Sequence, residues 1–359
     1  MSTSPDLRPP SRPQLKPALR RLWRDRDTLQ LGIEPHHAVV LSGLAGPQLR
    51  LLELLDGSRD TADVVADAQR IGLDAADAQR LIERLTRAGV LDDATTQAPH
   101  SAREQLRLHP DRLSLSLRHR HPGGADAVLD RRRAAAVTVH GTGRVGATLA
   151  GLLGAAGVGR IACVDERPVR PADLSPAGIT DDSATSRGAG AAARVRNHAP
   201  ATATQTTPHS TPTLAVVAPV SGVAAPETLA DVRRHPHLLV AVRETTAAVG
   251  PFVVPGRTPC IRCLELSRGQ RDPSWPAIAA QLVASARAYE PCDIGLATVA
   301  ASLAALHALA WVDSAGADLP PSAGGVLELA LADLRLRRRS VGAFPGCGCG
   351  LVDAAEPAP

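Results

Sequence analysis

Residues 134–165 read AAAVTVHGTGRVGATLAGLLGAAGVGRIACVD, and this stretch decides the fold. An apolar, β-branched run over 135–140 precedes a glycine-rich turn, a helical segment over 147–156 and a second apolar run that ends in Asp165. A strand, a glycine turn, a helix and a strand with a terminal acid make up a nucleotide-binding βαβ unit. The stretch therefore predicts an α/β domain with a Rossmann-type parallel sheet.

The glycine turn supplies candidate nucleotide-binding residues. Gly141 permits a tight turn, Gly143 lets the backbone approach a phosphate, and Gly146 lets the helix pack on the strand. The N-terminus of that helix offers free N–H groups to an anion. Asp165 follows Gly146 by 19 residues, where an acid that binds a ribose belongs. The alternative is a fold of this kind in which the glycines serve only packing.

The rest of the C-terminal part continues the same alternation. Strand-like runs over 214–218 and 238–242 flank a helical segment over 227–234, which is typical of a parallel sheet covered by helices. The later predicted elements are a polar helix, a long apolar helix and two strands, over 275–288, 294–313, 325–331 and 333–338.

Composition excludes several classes of protein. Of 359 residues, 44% are hydrophobic and 21% charged, which is ordinary for a globular chain of two or three domains. The formal charge of +4 is too balanced to argue for nucleic acid, and an aromatic content of 2% offers few stacking platforms. The N-terminus has no apolar core typical of a secretory signal, and the apolar stretch 296–312 is shorter than the ~20 residues that a bilayer needs. We therefore expect a cytoplasmic protein that binds neither nucleic acid nor a membrane.

The N-terminal part predicts a small α+β module over residues 28–93. Two short apolar runs predict paired strands, and three helical segments and a short closing strand follow, in the order typical of a winged helix. The runs and helical segments lie at 28–33, 36–41, 46–55, 61–71 and 74–88. The predicted organisation is a disordered tail, this module, a linker, the α/β domain and a second tail, over 1–27, 28–93, 94–133, 134–350 and 351–359.

Four of the six cysteines fall in two close pairs. Cys260 and Cys263 lie on a loop rich in proline and glycine, and Cys347 and Cys349 flank a glycine near the C-terminus. Thiolates two or three residues apart on a tight loop can face one ion, and two such loops complete a tetrahedral four-sulfur zinc site. A site with four protein ligands is closed, so we expect structural zinc. The alternative is four unrelated buried cysteines.

The other two cysteines receive different interpretations. Cys163 lies inside an apolar strand and is interpreted as a core residue. Cys292 precedes a predicted helix, where a thiol can become reactive, although a structural role is the favoured interpretation.

The motifs together carry a family resemblance. From Ala134 to Gly350 the chain resembles the ThiF/MoeB, ubiquitin-activating-type adenylyltransferases, in VHGTGRVG, in the turn AAGVG, in CVDERPV and in the late cysteine pairs. It is similar, more narrowly, to actinobacterial proteins that bind the leader peptide of azol(in)e-containing (TOMM) ribosomal peptides, by the stretch GPFVVPG through CIRC and by RDPSWP. Residues 28–91 resemble the PqqD-like peptide-recognition element of such proteins.

The chain departs from the adenylating members at the positions that contact ATP. Those members follow the second strand with Asp-x-Asp and then Asn-Leu-x-Arg-Gln, whereas here Pro176 stands at the arginine position and Asp173 at the asparagine position. The family's phosphate-binding lysine has no counterpart, because the only lysine is Lys16; Arg187 or Arg194 could stand in.

A metal-holding aspartate is expected after the third main strand, but residues 217–219 contain no acid. Without these groups a site has little to stabilise charge transfer from ATP and Mg²⁺. We therefore interpret the nucleotide site as vestigial or weak, with ATP use disfavoured; its residues are Gly141, Gly143, Arg144, Gly146, Asp165 and Arg187.

The resemblance then implies a binding protein. A precursor leader peptide adds as a strand beside the third N-terminal helix, where Leu81, Ile82 and Leu85 are the predicted pocket residues. The zinc-braced domain is expected to dock a YcaO-type cyclodehydratase, and the resemblance leaves a homodimer open.

Three alternatives are weighed against this interpretation. The first is an active adenylyltransferase that uses Asp165, Arg144 and Arg187 to activate a carboxyl terminus. The second is a nicotinamide-dependent oxidoreductase, against which the paired cysteine loops argue. The third is DNA binding by the N-terminal module, but its third helix balances basic with acidic residues and has no continuous basic face.

Overall fold

The computed structural model describes residues 9–96, 101–284, 290–349 and 351. The chain divides into two compact units, Met1–Asp130 and Arg131–Pro359. The first eight residues of the predicted N-terminal tail and almost all of the predicted C-terminal tail lie outside the described residues. The structure can therefore be compared with the predicted domain organisation only from residue 9 to residue 351.

The N-terminal unit contains short strands and longer helices. Its elements are β1 (Pro13–Leu15), β2 (Arg21–Trp23), β3 (Leu29–Leu31), β4 (Val39–Leu41), α1 (Gly46–Leu54), α2 (Thr61–Arg70), α3 (Ala75–Arg87), β5 (Leu91–Asp93), α4 (Ala102–Arg118) and α5 (Gly124–Ala134), which crosses the boundary between the units. The two predicted strands and three predicted helices after residue 27 are present.

Two small antiparallel sheets and a leucine-rich core hold this unit together. One sheet has the order β2-β3-β4, and the other pairs β1 with β5. The helices begin at capping residues: the carboxylate of Asp60 accepts from the N–H of Asp63, and that of Asp74 accepts from the N–H of Ala76. Leu31, Leu51, Leu55, Ile82 and Leu85 are among the fully buried members of the core.

The structure corrects the expected tail and linker. Residues from 13 onward form β1 and β2, and the Lys16 side chain is buried, with its Nζ donating to the carbonyl oxygens of Ser116 and Arg120. Most of the predicted linker forms α4 and α5. The prolines suggested a tail because they prevent helix, but they are compatible with the short strand that follows Arg12.

The C-terminal unit is the larger α/β unit. Its elements are β6 (Ala136–His140), α6 (Arg144–Ala155), β7 (Arg160–Val164), α7 (Arg187–His198), β8 (Ala203–Gln205), β9 (Leu214–Val217), α8 (Pro226–Val232), β10 (His237–Arg243), β11 (Thr246–Val253), α9 (Ile261–Arg271), α10 (Trp275–Ala284), α11 (Ile294–Asp313), β12 (Gly325–Ala330) and β13 (Leu336–Ser340). A short 3₁₀ turn covers Pro171–Asp173.

Its eight-stranded sheet has the order β13-β12-β11-β10-β9-β6-β7-β8. Strands β6 to β10 are parallel, and β11, β12 and β13 continue the sheet antiparallel to their neighbours. The predicted parallel sheet is therefore confirmed, and β8 and β11 are strands that the sequence interpretation missed. The last strand begins at Leu336 rather than at residue 333.

Helices cover both faces of the parallel part. Along β9, Leu214 and Val216 pack in a cluster that includes residues of α6, α7 and α11, whereas Ala215 and Val217 pack in a second cluster with residues of α8 and α9. A strand that is buried on both faces reads as a continuous apolar run, as this one does.

Helix α11 is the one described helix long and apolar enough to cross a membrane, by length and composition. It has 20 residues, so the expectation that its apolar stretch is too short does not hold. Ala300, Ala304 and Ala308 are completely buried in the core of this unit, and 56% of the apolar window is buried. A single buried helix of this kind is weak evidence for a membrane span.

Candidate functional site

The glycine turn joins β6 to α6 as predicted. Gly141 has a positive φ of 87°, and a Cβ atom there would overlap the carbonyl oxygen of Ala218. A Cβ at Gly146 would overlap the carbonyl oxygen of Gly141, so close packing explains both glycines. At Gly143, the residue before α6, a Cβ would meet only the side chain of Val220, at 2.9 Å. A side chain at Gly143 would therefore crowd Val220, although that side chain can shift more easily than the backbone that crowds Gly141 and Gly146.

A cavity of about 390 Å³ lies at this turn, beyond the carboxyl ends of β6 and β9. Its lining is rich in arginine, and the charged side chains that line it are Arg144, Arg167, Arg170, Arg187, Asp173 and Glu290. Four cations against two carboxylates, next to a helix N-terminus, make the cavity favourable for an anion. We call this cavity the glycine-turn pocket.

Asp165, the predicted ribose-binding acid, already has partners from its own chain. Its Oδ1 accepts from Nε of Arg167 at 2.8 Å, and its Oδ2 accepts from Nη2 of Arg167 at 2.8 Å and from the N–H of Thr142 at 3.0 Å. This bidentate hydrogen bond raises the pKa of Arg167. Because both carboxylate oxygens are engaged, a ribose hydroxyl must displace the guanidinium of Arg167 to bind Asp165.

Two further predicted residues are also engaged within the pocket wall. Nε of Arg187 donates to Oδ2 of Asp173 at 2.7 Å, and both side chains are buried. Arg144 donates through Nε to the carbonyl oxygen of Ala172 at 2.5 Å and through Nη1 to that of Cys292 at 2.8 Å. Of the two arginines suggested as substitutes for a phosphate-binding lysine, Arg187 lines the pocket.

The other suggested substitute, Arg194, lies elsewhere. Its Nη2 donates to the carbonyl oxygen of Pro176, and the residue does not line the glycine-turn pocket. Sequence interpretation missed Arg167 and Arg170 as pocket residues. The signal for the first was its position two residues after Asp165, from which a guanidinium can reach back to the carboxylate.

The two isolated cysteines have environments that oppose ionisation. Burial raises the pKa of Cys163 to about 12, in agreement with its interpretation as a core residue. Cys292 lines the glycine-turn pocket, and burial raises its pKa although Arg144 acts in the opposite direction. The environment of Cys292 therefore does not produce an activated thiolate.

The four paired cysteines come together in one cluster. Cys260 precedes α9, Cys263 lies in the first turn of that helix, and the second pair lies on a turn formed by Gly346 and Gly348 with φ of 76° and 71°. The four Sγ atoms all lie within 4.8 Å of one another. The prediction that the two loops meet is confirmed, and the cluster could hold a metal ion.

The sulfur spacing fits tetrahedral zinc. Sγ of Cys260 lies 3.8 Å from that of Cys263 and 3.5 Å from that of Cys347, and Sγ of Cys263 lies 3.6 Å from that of Cys349. A tetrahedral ion with Zn–S bonds of about 2.3 Å holds its sulfurs about 3.8 Å apart. The N–H of Phe344 points to Sγ of Cys263 at 3.5 Å, and a hydrogen bond of this kind stabilises a thiolate that binds a metal.

The predicted peptide pocket on α3 is not open. Ile82 and Leu85 are each 1% exposed and belong to the core of the N-terminal unit, so they cannot line a surface pocket; Leu81 is half-buried. Their helical spacing marked a core-facing stripe, which a binding pocket and a core share in sequence. The exposed large apolar side chains of this unit's three-stranded sheet are Leu22, Trp23 and Val40.

Comparisons with known proteins give matches only among solved structures. No protein-family model and no curated protein matches the sequence. The structure of the microcin C7 biosynthetic enzyme MccB in complex with N-formylated MccA is 14% identical, with a TM-score of 0.63, over 94% of this chain and 99% of that one. E. coli MccB with ATP is 15% identical, with a TM-score of 0.65 over the same shares. A crystal structure of selenomethionine PaaA is 14% identical, with a TM-score of 0.65, over 91% of this chain and 99% of that one.

At this identity the likeness shows the fold. The chain has the fold of MccB, in agreement with the ThiF-like α/β fold expected from the resemblance. One of these similar structures contains ATP, so the comparisons lend no support to the expectation that disfavoured ATP. They do not bear on a YcaO-type partner.

Proposed function

We propose that the protein binds the leader peptide of a ribosomally made precursor and presents that precursor to a YcaO-type cyclodehydratase. The observation that carries the proposal is the three-stranded sheet β2-β3-β4, which has two outer strands and exposed apolar side chains on both of them. An extended peptide can add to such an edge through main-chain hydrogen bonds. A structure of the same fold contains the peptide MccA, which supports peptide binding as the role of this fold here.

The glycine-turn pocket supports a holding role over an activating one. Asp165 is occupied by Arg167, and Asp173 is paired with Arg187. Among the described residues that line the pocket, Glu290 is the remaining carboxylate, and it lies outside the run that follows β9, where the resemblance places a metal ligand. Transfer of an adenylyl group from ATP needs protein groups that hold the magnesium ion and the phosphate charges in place. We propose that the pocket binds anions without adenylating a substrate.

The four-cysteine cluster has a structural role in this proposal. Zinc held by Cys260, Cys263, Cys347 and Cys349 would have no open position for substrate, so it would tie the start of α9 to the C-terminal loop. The unpaired thiols agree with a cytoplasmic location, where thiols stay reduced. A homodimer remains a separate proposal.

Leader capture is tested with the full-length chain and a fluorescein-labelled leader peptide from an open reading frame that neighbours its gene. Fluorescence anisotropy should show saturable binding, and a scrambled peptide of the same composition should not compete. Addition of the neighbouring YcaO-type enzyme, ATP and precursor should then give loss of one water per cyclised Cys, Ser or Thr, and omission of this protein should slow the loss. Absence of saturable leader binding contradicts the proposal.

An active adenylyltransferase is the second candidate. It is favoured by one observation, that E. coli MccB of the same fold is seen with ATP. In this alternative, Arg144 and Arg187 contact phosphates and the guanidinium of Arg167 swings away from Asp165. Exchange of labelled pyrophosphate into ATP, dependent on a peptide with a free carboxyl terminus, distinguishes this candidate from the holding role.

A further inference from the structure

Strand β2 forms one edge of the three-stranded sheet in the N-terminal unit. Toward β3, the N–H of Gly32 donates to the carbonyl oxygen of Arg20, and the N–H of Arg24 donates to that of Thr28. Alternate residues of an antiparallel strand point their backbone groups in opposite directions within the sheet. The N–H and C=O groups of Arg21 and Trp23 therefore face outward, where another strand can pair with them.

Trp23 is placed to contact such an added strand. It lies opposite Leu29, which in turn lies opposite Leu41, so the three side chains share the face that covers the core. Leu29 is 3% exposed, whereas Trp23 is 56% exposed. The tryptophan thus extends the apolar face past the edge of the core, and covering it would remove a large apolar surface from water.

Four arginines surround this edge. Arg20, Arg21, Arg24 and Arg26 are exposed, and within the described residues none of their side chains forms an ion pair or a hydrogen bond. The nearby Asp25 and Asp27 accept hydrogen bonds within the turn that joins β2 to β3. The local charge over residues 20–27 is thus positive by two, and the guanidinium groups are free to meet an acidic partner.

Strand β13, at one edge of the large sheet, provides a contrast. Strand β13 also carries three arginines, but their guanidinium groups are used by their own surroundings. Arg337 pairs with Asp333, Arg339 pairs with Glu328, and Arg338 donates to carbonyl oxygens of the loop that precedes β12. An arginine-rich edge strand is therefore not open to a partner by composition alone, and β2 differs from β13 in this respect.

The remaining edge of the small sheet has no comparable charge. Strand β4 is purely apolar, and on its approach His37 lies near Glu34. Backbone pairing there would select a peptide by shape and apolar contact. We propose that an acidic, extended peptide segment adds to the sheet along β2, with Trp23 covered by one of its apolar side chains and its carboxylates paired with Arg21 and Arg24.

This inference rests on the proposed function, and it specifies the sheet edge that binds the peptide and the charge of that peptide. The probe is a displayed library of random twelve-residue peptides, selected on the immobilised full-length chain. Enriched peptides should carry an excess of Asp and Glu alternating with apolar residues. Fluorescence anisotropy measures the affinity for the enriched peptides. The double variant Arg21→Glu with Arg24→Glu should lower this affinity by at least about tenfold, and Trp23→Ala should lower it by about fivefold to tenfold.

The double variant Arg337→Glu with Arg339→Glu is the charge-matched control and should leave peptide affinity within about twofold. Circular dichroism of every variant confirms that the fold is kept. Enriched peptides without an acidic excess, or with an affinity that the Arg21 and Arg24 changes do not alter, overturn the inference while peptide binding itself stands. Binding of single-stranded DNA in place of any peptide overturns it too. If neither library nor leader peptides bind, the proposed function fails.

Discussion

The four-cysteine cluster and the glycine-turn pocket lie in the same unit, but they differ in how far their polar groups are already bonded to other groups of the chain. The four sulfurs lie within 4.8 Å of one another, so one cation could bind all of them. At the glycine turn, Asp165 is bonded to Arg167 and to the N–H of Thr142, and in the pocket wall Asp173, Arg144 and Arg187 are each bonded to another group of the chain. A ligand there must replace contacts that already exist.

The difference shows how a motif can keep its backbone and change its chemistry. Gly141 and Gly146 are required by close packing, so the glycine pattern persists whether or not a nucleotide binds. Paired cysteines on two loops have no comparable packing reason to meet. Spacing alone is therefore stronger evidence for the metal cluster than for the nucleotide site.

The largest expected effect is at the cluster. Cys260→Ser removes one of four ligands, so we expect the zinc content to fall from about one ion per chain to near zero. The free energy of unfolding of the C-terminal unit should fall by about 4 kcal/mol or more, because binding of a structural ion is coupled to folding. Elemental analysis and urea denaturation measure the two effects.

Cys292→Ser is the matched control, since Cys292 is half-buried in the same unit and lies outside the cluster. It should keep both the ion and the stability. If Cys260→Ser leaves the zinc content unchanged, the four-cysteine cluster does not bind the ion.

Next is the buried pair in the pocket wall. Asp173→Asn leaves the guanidinium of Arg187 buried without its carboxylate, and we expect a loss of about 3–5 kcal/mol in the free energy of unfolding. Asp333→Asn, which breaks the exposed pair with Arg337, should have a much smaller effect in the same urea titration. Equal effects of the two substitutions would show that the pocket's ion pair is not structural.

A third test uses a buried cation that has no carboxylate bonded to it. Burial lowers the pKa of Lys16 to about 8, against the raising effect of Asp92. Between about pH 8 and 10.5 the unfolded chain then binds a proton that the folded chain does not. The free energy of unfolding should rise by about 3 kcal/mol across this window, since one pKa unit is worth about 1.4 kcal/mol.

Lys16→Met should abolish this rise, and because Lys16 is the only lysine, no other lysine contributes. The measurement is the difference in free energy of unfolding between wild type and variant, from urea titrations at pH 7, 9 and 10. A difference that does not change with pH would place the pKa of Lys16 near its ordinary value.

The smallest expected effect is on nucleoside binding at Asp165, and it tests directly whether the contacts within the chain block the nucleotide site. Arg167→Ala removes the guanidinium that is bound to both oxygens of Asp165 and leaves backbone N–H groups as their partners, so binding of adenosine should strengthen by about tenfold, the worth of a hydrogen bond to a charged group. Isothermal titration calorimetry measures it, and Asp165→Asn in the Arg167→Ala background should remove the gain. Unchanged or weaker adenosine binding would show that Arg167 does not block the site.

Much of the fold could be predicted from sequence where one local pattern determines one element. The apolar runs of β6 and β7 and the capped helices α2 and α3 are of this kind. The two cysteine pairs could be matched because few residues of that type exist in the chain. Short strands were missed, since β1, β2 and β8 have three residues each and their pairing is decided by distant partners.

The candidate sites show the limit more clearly. The residues Ile82 and Leu85 were predicted to line a pocket, but an apolar stripe on a helix does not say whether the core or a ligand covers it. Asp165 was correctly placed at the end of its strand, but its pairing with Arg167 depends on a rotamer that spacing does not determine. Trp23 was overlooked because it lies in a segment whose prolines and arginines suggested a tail.

We propose that this protein holds a peptide and does not activate it. The most direct test is exchange of labelled pyrophosphate into ATP by the full-length, zinc-loaded chain, with magnesium and a leader-bearing precursor that is shown to bind. We expect no exchange above that of a chain whose pocket is blocked by Gly143→Trp. Robust exchange that this substitution abolishes would contradict it.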